Sequence, residues 1–173
     1  MKKLLVLVVL VSLVLSAALA EDSALTVRSG VRFGMSRAEV LSAEGNVRAE
    51  EGRKHVTRGV VLEELELDDV TDSGAPADIT YYFEAGRLAA VLIDYDGDDG
   101  LFDRLKSDLT ARFGDPARPE RQALGNGLYL VDDDGRLSPG ALMWRSAAAL
   151  IVLERDDDEA KLILMDRNAA FLR

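Results

Sequence analysis

The stretch ITYYFEAGRLAAVLIDY, residues 79–95, decides the class of fold. In its first half the apolar side chains fall on every second position, the period of a strand with one buried face; they are Ile79, Tyr81 and Phe83. Ala85-Gly86 then makes a tight connection into a second strand-prone run, Arg87 to Tyr95. The stretch therefore predicts an antiparallel hairpin.

Further strand-prone segments lie on both sides of this hairpin. Upstream, Val60 to Leu67 ends with leucines alternating with glutamates, and Asp68 to Pro76 is rich in turn-forming residues. Downstream lie four shorter runs, which are Leu128 to Val131, Ala141 to Ser146, Ala149 to Arg155 and Lys161 to Met165. We expect these strands to be antiparallel.

A short helix is predicted over Arg37 to Glu44. Ser36 and Glu39 have the capping-box spacing, in which each side chain pairs with a backbone N–H that the first helical turn leaves without a partner. Gly45 stands where helices commonly end in a left-handed residue.

A second, longer helix is predicted over Leu101 to Phe113, because its apolar residues recur at helical spacing along one stripe. Gly114 and Pro116 end it. Acidic residues precede its first turn and Arg112 lies in its last, as the helix dipole favours.

The two halves of the chain share one order of elements, a helix that ends in glycine followed by about three strands. We therefore predict an α+β protein of two similar units, each a short helix packed on an antiparallel sheet of about three to four strands. The first unit spans residues 32–97 and the second 98–173, after a short leader over 21–31. Such small units bury little apolar surface alone, so we expect their sheets to join or pack together.

The segment Phe33-Gly34-Met35-Ser36-Arg37-Ala38-Glu39-Val40, continuing to Gly45, resembles the helix-opening signature of the BamE/SmpA-like family of small exported bacterial proteins. Tandem versions of that unit resemble the fold of beta-lactamase inhibitor protein. The resemblance implies a helix layer against an antiparallel sheet, a location outside the cytoplasm, and function through protein contact. It assigns no active site, and this chain lacks the cysteine of the lipoprotein members.

The first twenty residues have the layout of a cleavable signal peptide. Two lysines precede an apolar run from Leu4 to Leu15, which is shorter than the roughly 20 residues of a membrane span. Ala18 and Ala20 supply the small side chains that signal peptidase needs, so we expect cleavage near Ala20. The mature chain would then be periplasmic or secreted, without a membrane span.

Composition narrows the choice of partners. The chain contains no cysteine, which excludes disulfides and a lipid anchor, and its formal net charge is −10. Cleavage near Ala20 removes two lysines and no acid, so the mature chain is still more acidic. Nucleic acid and anionic membrane surfaces are therefore poor partners, and we expect the partner to be another envelope or extracellular protein.

No set of residues indicates catalysis. The single histidine, His55, lies in a polar stretch with no nucleophile motif nearby, and one histidine without cysteine cannot form the usual zinc site. We predict a non-catalytic binding module with no catalytic residue, no metal site and no cofactor. A hydrolase that uses two carboxylates is an alternative, since the chain has 31 acidic residues.

An acidic loop supports a further alternative, a calcium- or small-ligand-binding protein. Asp94, Asp96 and Asp98 have the alternate spacing by which calcium loops gather oxygen ligands. An EF-hand loop counted from Asp94 would, however, need glycine and glutamate where Asp99 and Leu105 stand. We favour a solvated turn between a strand and a helix, in which the aspartates cap the second helix.

Two aromatic residues receive different interpretations. Tyr82 falls on the polar register of its strand and is a candidate for a sheet face that meets a partner, although a lone exposed tyrosine is ordinary. Trp144 alternates with Leu142, which predicts a position in the core.

Overall fold

The computed structural model describes residues 26–45, 49–57, 59–96, 100–120, 124–125, 138–156 and 159–173. The predicted signal peptide and the predicted strand over 128–131 lie outside these residues. So does the predicted boundary between two units at residues 97 and 98.

Within the described residues the chain folds into seven strands, two α-helices and a short 3₁₀ helix. In chain order these are α1 (Arg37–Ala43), β1 (Glu50–Thr57), β2 (Val60–Asp72), β3 (Ala75–Glu84), β4 (Arg87–Tyr95), α2 (Leu101–Phe113), β5 (Leu142–Arg145), β6 (Ala149–Asp156), β7 (Glu159–Asp166) and the 3₁₀ helix Ala170–Leu172.

All seven strands form one antiparallel sheet in the order β1-β2-β3-β4-β7-β6-β5. The pairing of β4 with β7 sets Ala90 opposite Met165 and Tyr95 opposite Ala160, and so joins strands from the two halves of the chain. Without this pairing, β4 and β7 would each be an edge strand with unpaired backbone N–H and C=O groups.

This single sheet overturns the prediction of two helix-on-sheet units. The described part of the chain is mostly β-structure, and the two helices within it do not cover separate sheets. Val40 of α1 and Leu105 of α2 belong to the same apolar core, together with residues from both halves of the sheet. One shared core buries more apolar surface than two small ones could.

The predicted capping box at the start of α1 is confirmed. The Ser36 backbone N–H donates to Glu39 Oε2 at 2.7 Å, and Ser36 Oγ accepts from the Glu39 N–H at 3.4 Å. The backbone hydrogen bond, and then the side-chain hydrogen bond, from Ser36 lower the pKa of Glu39. Gly45, at φ 77°, follows the helix in the left-handed conformation expected there.

The predicted bounds of α2 are also confirmed, but its cap is not. Gly100 occupies the N-cap position, so this position is not held by an aspartate. Asp98 and Asp99, which are predicted to cap the helix, lie outside the described residues. Gly114, at φ 82°, ends the helix and donates its N–H to the carbonyl of Thr110 at 2.9 Å. Among the described residues, no helix combines the length and apolar character needed to cross a membrane.

The hairpin of β3 and β4 has the predicted tight turn at Ala85-Gly86, with both residues at positive φ. By contrast, the stretch predicted as a turn over Asp68 to Pro76 is mostly strand. A register shift between Leu67 and Val70 absorbs an extra residue, and Asp69 has a φ of 53°. The turn itself is confined to Ser73-Gly74.

The sheet buries both of its faces. The two helices cover one face, called here the helix face, and Trp144 lies in its core with Nε1 donating to the Gly114 carbonyl at 3.0 Å. The opposite face carries a second apolar cluster that includes Tyr82 and Phe171. The prediction for Trp144 is therefore confirmed, whereas Tyr82 is 8% exposed and is not a contact residue.

Candidate functional site

Five polar side chains meet on the helix face, beside the turn that joins β2 to β3. Arg28 Nε lies 3.1 Å from Glu44 Oε1, and Arg28 Nη1 lies 3.7 Å from Asp72 Oδ1. The Tyr81 hydroxyl donates a hydrogen bond to Glu44. The Tyr95 hydroxyl donates a hydrogen bond to Asp72 Oδ2 at 2.5 Å. We call these five residues the arginine cluster.

Local structure places each member of the arginine cluster. Glu44 is the C-cap residue of α1. Tyr81 and Tyr95 stand on the alternate positions of β3 and β4 that face the helices. Arg28 precedes a tight turn in which the Val31 N–H donates to the Arg28 carbonyl at 2.6 Å.

The electrostatics of the arginine cluster favour fixed positions over proton transfer. The side chains of Arg28 and Glu44 are only 11% and 4% exposed, so each charge depends on the other for compensation. Burial, and then the hydrogen bonds to Glu44 and Asp72, raise the pKa of Tyr81 and of Tyr95 far above the ordinary tyrosine value. Both hydroxyls therefore remain protonated donors at neutral pH.

A cavity of about 280 Å³ opens beside the arginine cluster. Arg28 and Asp72 form part of one wall, and one stripe of α2 forms the wall opposite. The floor is the apolar surface of the central strands, including Ile93, Ile151 and Leu164. An apolar floor with polar walls is the usual composition of a small-molecule site.

Two side chains of opposite charge stand on the α2 wall. Asp108 and Arg112 both line the cavity, are solvent-exposed, and lie one helical turn apart. Among the described residues, neither forms an ion pair or a hydrogen bond, and the Arg112 guanidinium rests 4.9 Å from the centre of the Phe113 ring.

A second surface lies at the other end of the sheet. Val56 of β1 and Val61 of β2 are cross-strand partners, and their side chains are 71% and 44% exposed. The outer side of β1 pairs with no other strand in the described part of the chain. We call β1 together with Val61 the β1 edge.

The acidic loop considered as an alternative calcium site is only partly within the described residues, because Asp98 and Asp99 lie outside them. Asp94 lies on the sheet face opposite the helices, with Lys161 Nζ 3.6 Å from its Oδ1, and burial raises the pKa of its carboxyl. No group of three or more acidic or histidine side chains within the described ranges could hold a metal ion. Calcium binding stays an untested alternative. His55 lies on β1, opposite Leu62.

Sequence reasoning missed the arginine cluster. Arg28 falls in the leader, where no periodicity draws attention to it, and Asp72 falls in the stretch read as a turn. Tyr81 and Tyr95 are the signal in the sequence that could have revealed the cluster, because a buried tyrosine hydroxyl needs a hydrogen-bond partner. Their positions on buried strand faces therefore indicate that polar side chains gather beside them.

Comparison of the chain with protein-family models, with curated proteins and with solved structures finds no match. The resemblance of residues 33–45 to the BamE/SmpA-like family thus stays a proposal, and the cavity and the β1 edge are the surfaces that indicate a function.

Proposed function

We propose that the mature protein is an exported, non-catalytic protein-interaction module of the bacterial envelope, and that it binds its partner at the β1 edge. The observation that carries this proposal is the pair of exposed valines, Val56 and Val61, beside a strand edge with no neighbour among the described residues. Such an edge offers backbone hydrogen bonds to an added strand, and the valines offer it an apolar contact. The signal-peptide layout and the family resemblance support a location outside the cytoplasm.

The β1 edge is open over only part of its length. The register of β1 against β2 shifts between Glu51 and Lys54, and such bulges interrupt the pairing of a further strand. The regular portion runs from Lys54 to Thr57 and ends next to the valines. The edge therefore favours a short partner strand and resists continuous self-assembly.

Charge restricts the chemistry of the partner. The chain has a formal net charge of −10, so a segment with basic residues on its flanks approaches it faster than an acidic segment does. The partner that fits is an extended protein segment with an apolar side chain that covers Val56 and Val61. A nucleic acid or an anionic membrane surface does not meet this description.

The titratable groups support binding over catalysis. In the arginine cluster the charges are paired, and both tyrosines are held in their protonated form. Burial raises the pKa of Glu66 and of Asp94, but both carboxyls lie on the sheet face opposite the cavity. In the cavity wall, Asp72 accepts the hydrogen bond of Tyr95 and is paired with Arg28, which favours a fixed carboxylate over one that transfers protons.

Photo-crosslinking tests the proposal directly. A photo-reactive amino acid in place of Val56 is expected to capture one specific protein in intact cell envelopes, whereas the same group in place of Lys106, an exposed residue of α2, captures none. Val61→Asp, introduced together with the probe at position 56, should abolish the capture because it sets a charge in the apolar contact. Capture of the same proteins from both probe positions, or no capture at position 56, would overturn the proposal.

A further inference from the structure

We propose that the cavity between the arginine cluster and α2 binds a small zwitterion with an apolar side chain, of the class of the apolar α-amino acids. This site is distinct from the β1 edge, which lies three strands from β4, or roughly 14 Å at the usual strand spacing. The inference therefore stands apart from the proposed function.

Size and polarity define the body of the ligand. A cavity of about 280 Å³ is slightly smaller than the usual range for small-molecule sites, so it suits a ligand of few heavy atoms. Ile93 and Ile151 at its floor are already buried, at 2% and 0% exposed, whereas Val27 and Phe113 in its lining are partly exposed. A branched aliphatic or aromatic side chain packed against Val27 and Phe113 would lose its contact with water, which drives binding.

The charges of the walls define the two ends of the ligand. Arg28 is already matched by Glu44 and Asp72, so that wall carries an excess of one negative charge and repels a further carboxylate. Arg112 has no anionic partner among the described residues and is the group left to receive the ligand carboxylate. Asp108, one turn earlier on the same stripe, is free to receive the ammonium group.

Thermal denaturation tests the site with defined probes. Millimolar L-leucine is expected to raise the Tm of the full mature protein, because a ligand that binds only the native state stabilises it. Two analogues each lack one charged end: 4-methylpentanoate has no ammonium group and 3-methylbutylamine has no carboxylate. Each should give a clearly smaller shift than leucine at equal concentration.

Variants show whether the shift arises in this cavity. Arg112→Gln and Asp108→Asn should each remove most of the leucine shift, and Lys106→Gln, on an exposed position of the same helix, should retain it. No shift with leucine, a shift that survives in the Arg112→Gln variant, or an equal shift with 3-methylbutylamine would overturn the inference. Crosslinking from position 56 should be unaffected by Arg112→Gln, so this site and the β1 edge can fail separately.

Discussion

Tyr95 and Asp72 are joined by a hydrogen bond of 2.5 Å from the tyrosine hydroxyl to Oδ2, which ties the end of β4 to the end of β2 across the helix face. Asp72 also lies 3.7 Å from the Arg28 guanidinium, so the bond holds one side of a buried ion pair in place. The Tyr81 hydroxyl likewise holds Glu44, the other acidic partner of Arg28, in place. The two tyrosines thus fix the position of one arginine.

We expect Tyr95→Phe to lower the free energy of unfolding by about 1.5–3 kcal/mol, since it removes a partly buried hydrogen bond to a charged group. Tyr81→Phe should have a similar effect. The double variant should deviate from additivity, because both hydroxyls act on the same arginine. Urea unfolding followed by the fluorescence of Trp144, the single tryptophan, measures all three variants. Strict additivity would show that the two sides of the cluster are independent.

The raised pKa values of Tyr81 and Tyr95 predict loss of stability at alkaline pH. In the unfolded chain these hydroxyls ionise near pH 10, whereas in the native protein they do not ionise until higher pH. The unfolded state therefore releases protons first, and stability falls as the pH rises above about 10. The Tm of the wild type should fall more steeply there than that of the Tyr81→Phe/Tyr95→Phe variant. Parallel curves would contradict the prediction.

Gly52 is expected to be the glycine of β1 that cannot be replaced. A Cβ at this position would lie 2.2 Å from Glu64 Cβ and 2.7 Å from the Glu64 carbonyl carbon, so the backbone would have to move. We expect Gly52→Ala to lower the free energy of unfolding by about 1–3 kcal/mol. Gly140→Ala is the matched control, because nothing lies within 4 Å of a Cβ there, and it should be tolerated. Equal effects of the two substitutions would contradict the prediction.

The capping box of α1 gives a prediction with its own pH dependence. Ser36→Ala should lower the free energy of unfolding by about 1 kcal/mol at neutral pH. Because the Ser36 hydrogen bonds lower the pKa of Glu39, their contribution is present above the ordinary glutamate pKa and is lost as the pH falls below about 4. The difference between wild type and variant should therefore shrink in acid. Ser107→Ala, on the exposed side of α2, should not lower the free energy of unfolding at either pH.

Calcium provides a test of the acidic loop after β4. Asp94 is engaged with Lys161 on the sheet, which removes it from a loop that also contains Asp96. We expect the Tm to be unchanged by millimolar calcium, since a bound cation would raise it. A rise that disappears in Asp96→Asn would instead support a calcium site.

Local elements of this fold could be predicted from the sequence, whereas their assembly could not. The start of α1, the bounds of α2 and the turn at Ala85-Gly86 depend on neighbouring residues, which the sequence displays directly. The β4–β7 pairing depends on contacts between distant segments, and no local pattern distinguishes one continuous sheet from two. The same distinction applies to the arginine cluster, whose members come from the leader, α1 and three strands.

Polar composition explains why the sequence does not predict β1 as a strand and why it suggests a turn around Asp69. The sequence of β1, EEGRKHVT, shows no apolar alternation, since this edge strand is held by backbone pairing with β2. The acidic and glycine residues around Asp69 suggest a turn, although most of them belong to a strand that contains a bulge. Turn-forming residues occur both in turns and in strand bulges, so composition alone cannot distinguish a turn from a bulged strand.

The central position of the β4–β7 pairing has a consequence for biogenesis. Residues 90–95 pair with residues 77–82 on one side and with residues 160–165 on the other, so the sheet cannot close before the second segment has been made. Such distant pairing delays the closure of the sheet until residues 160–165 have emerged from the ribosome. For the exported protein that we propose, this late closure of the sheet favours an unfolded nascent chain, which is the state that a translocation channel accepts.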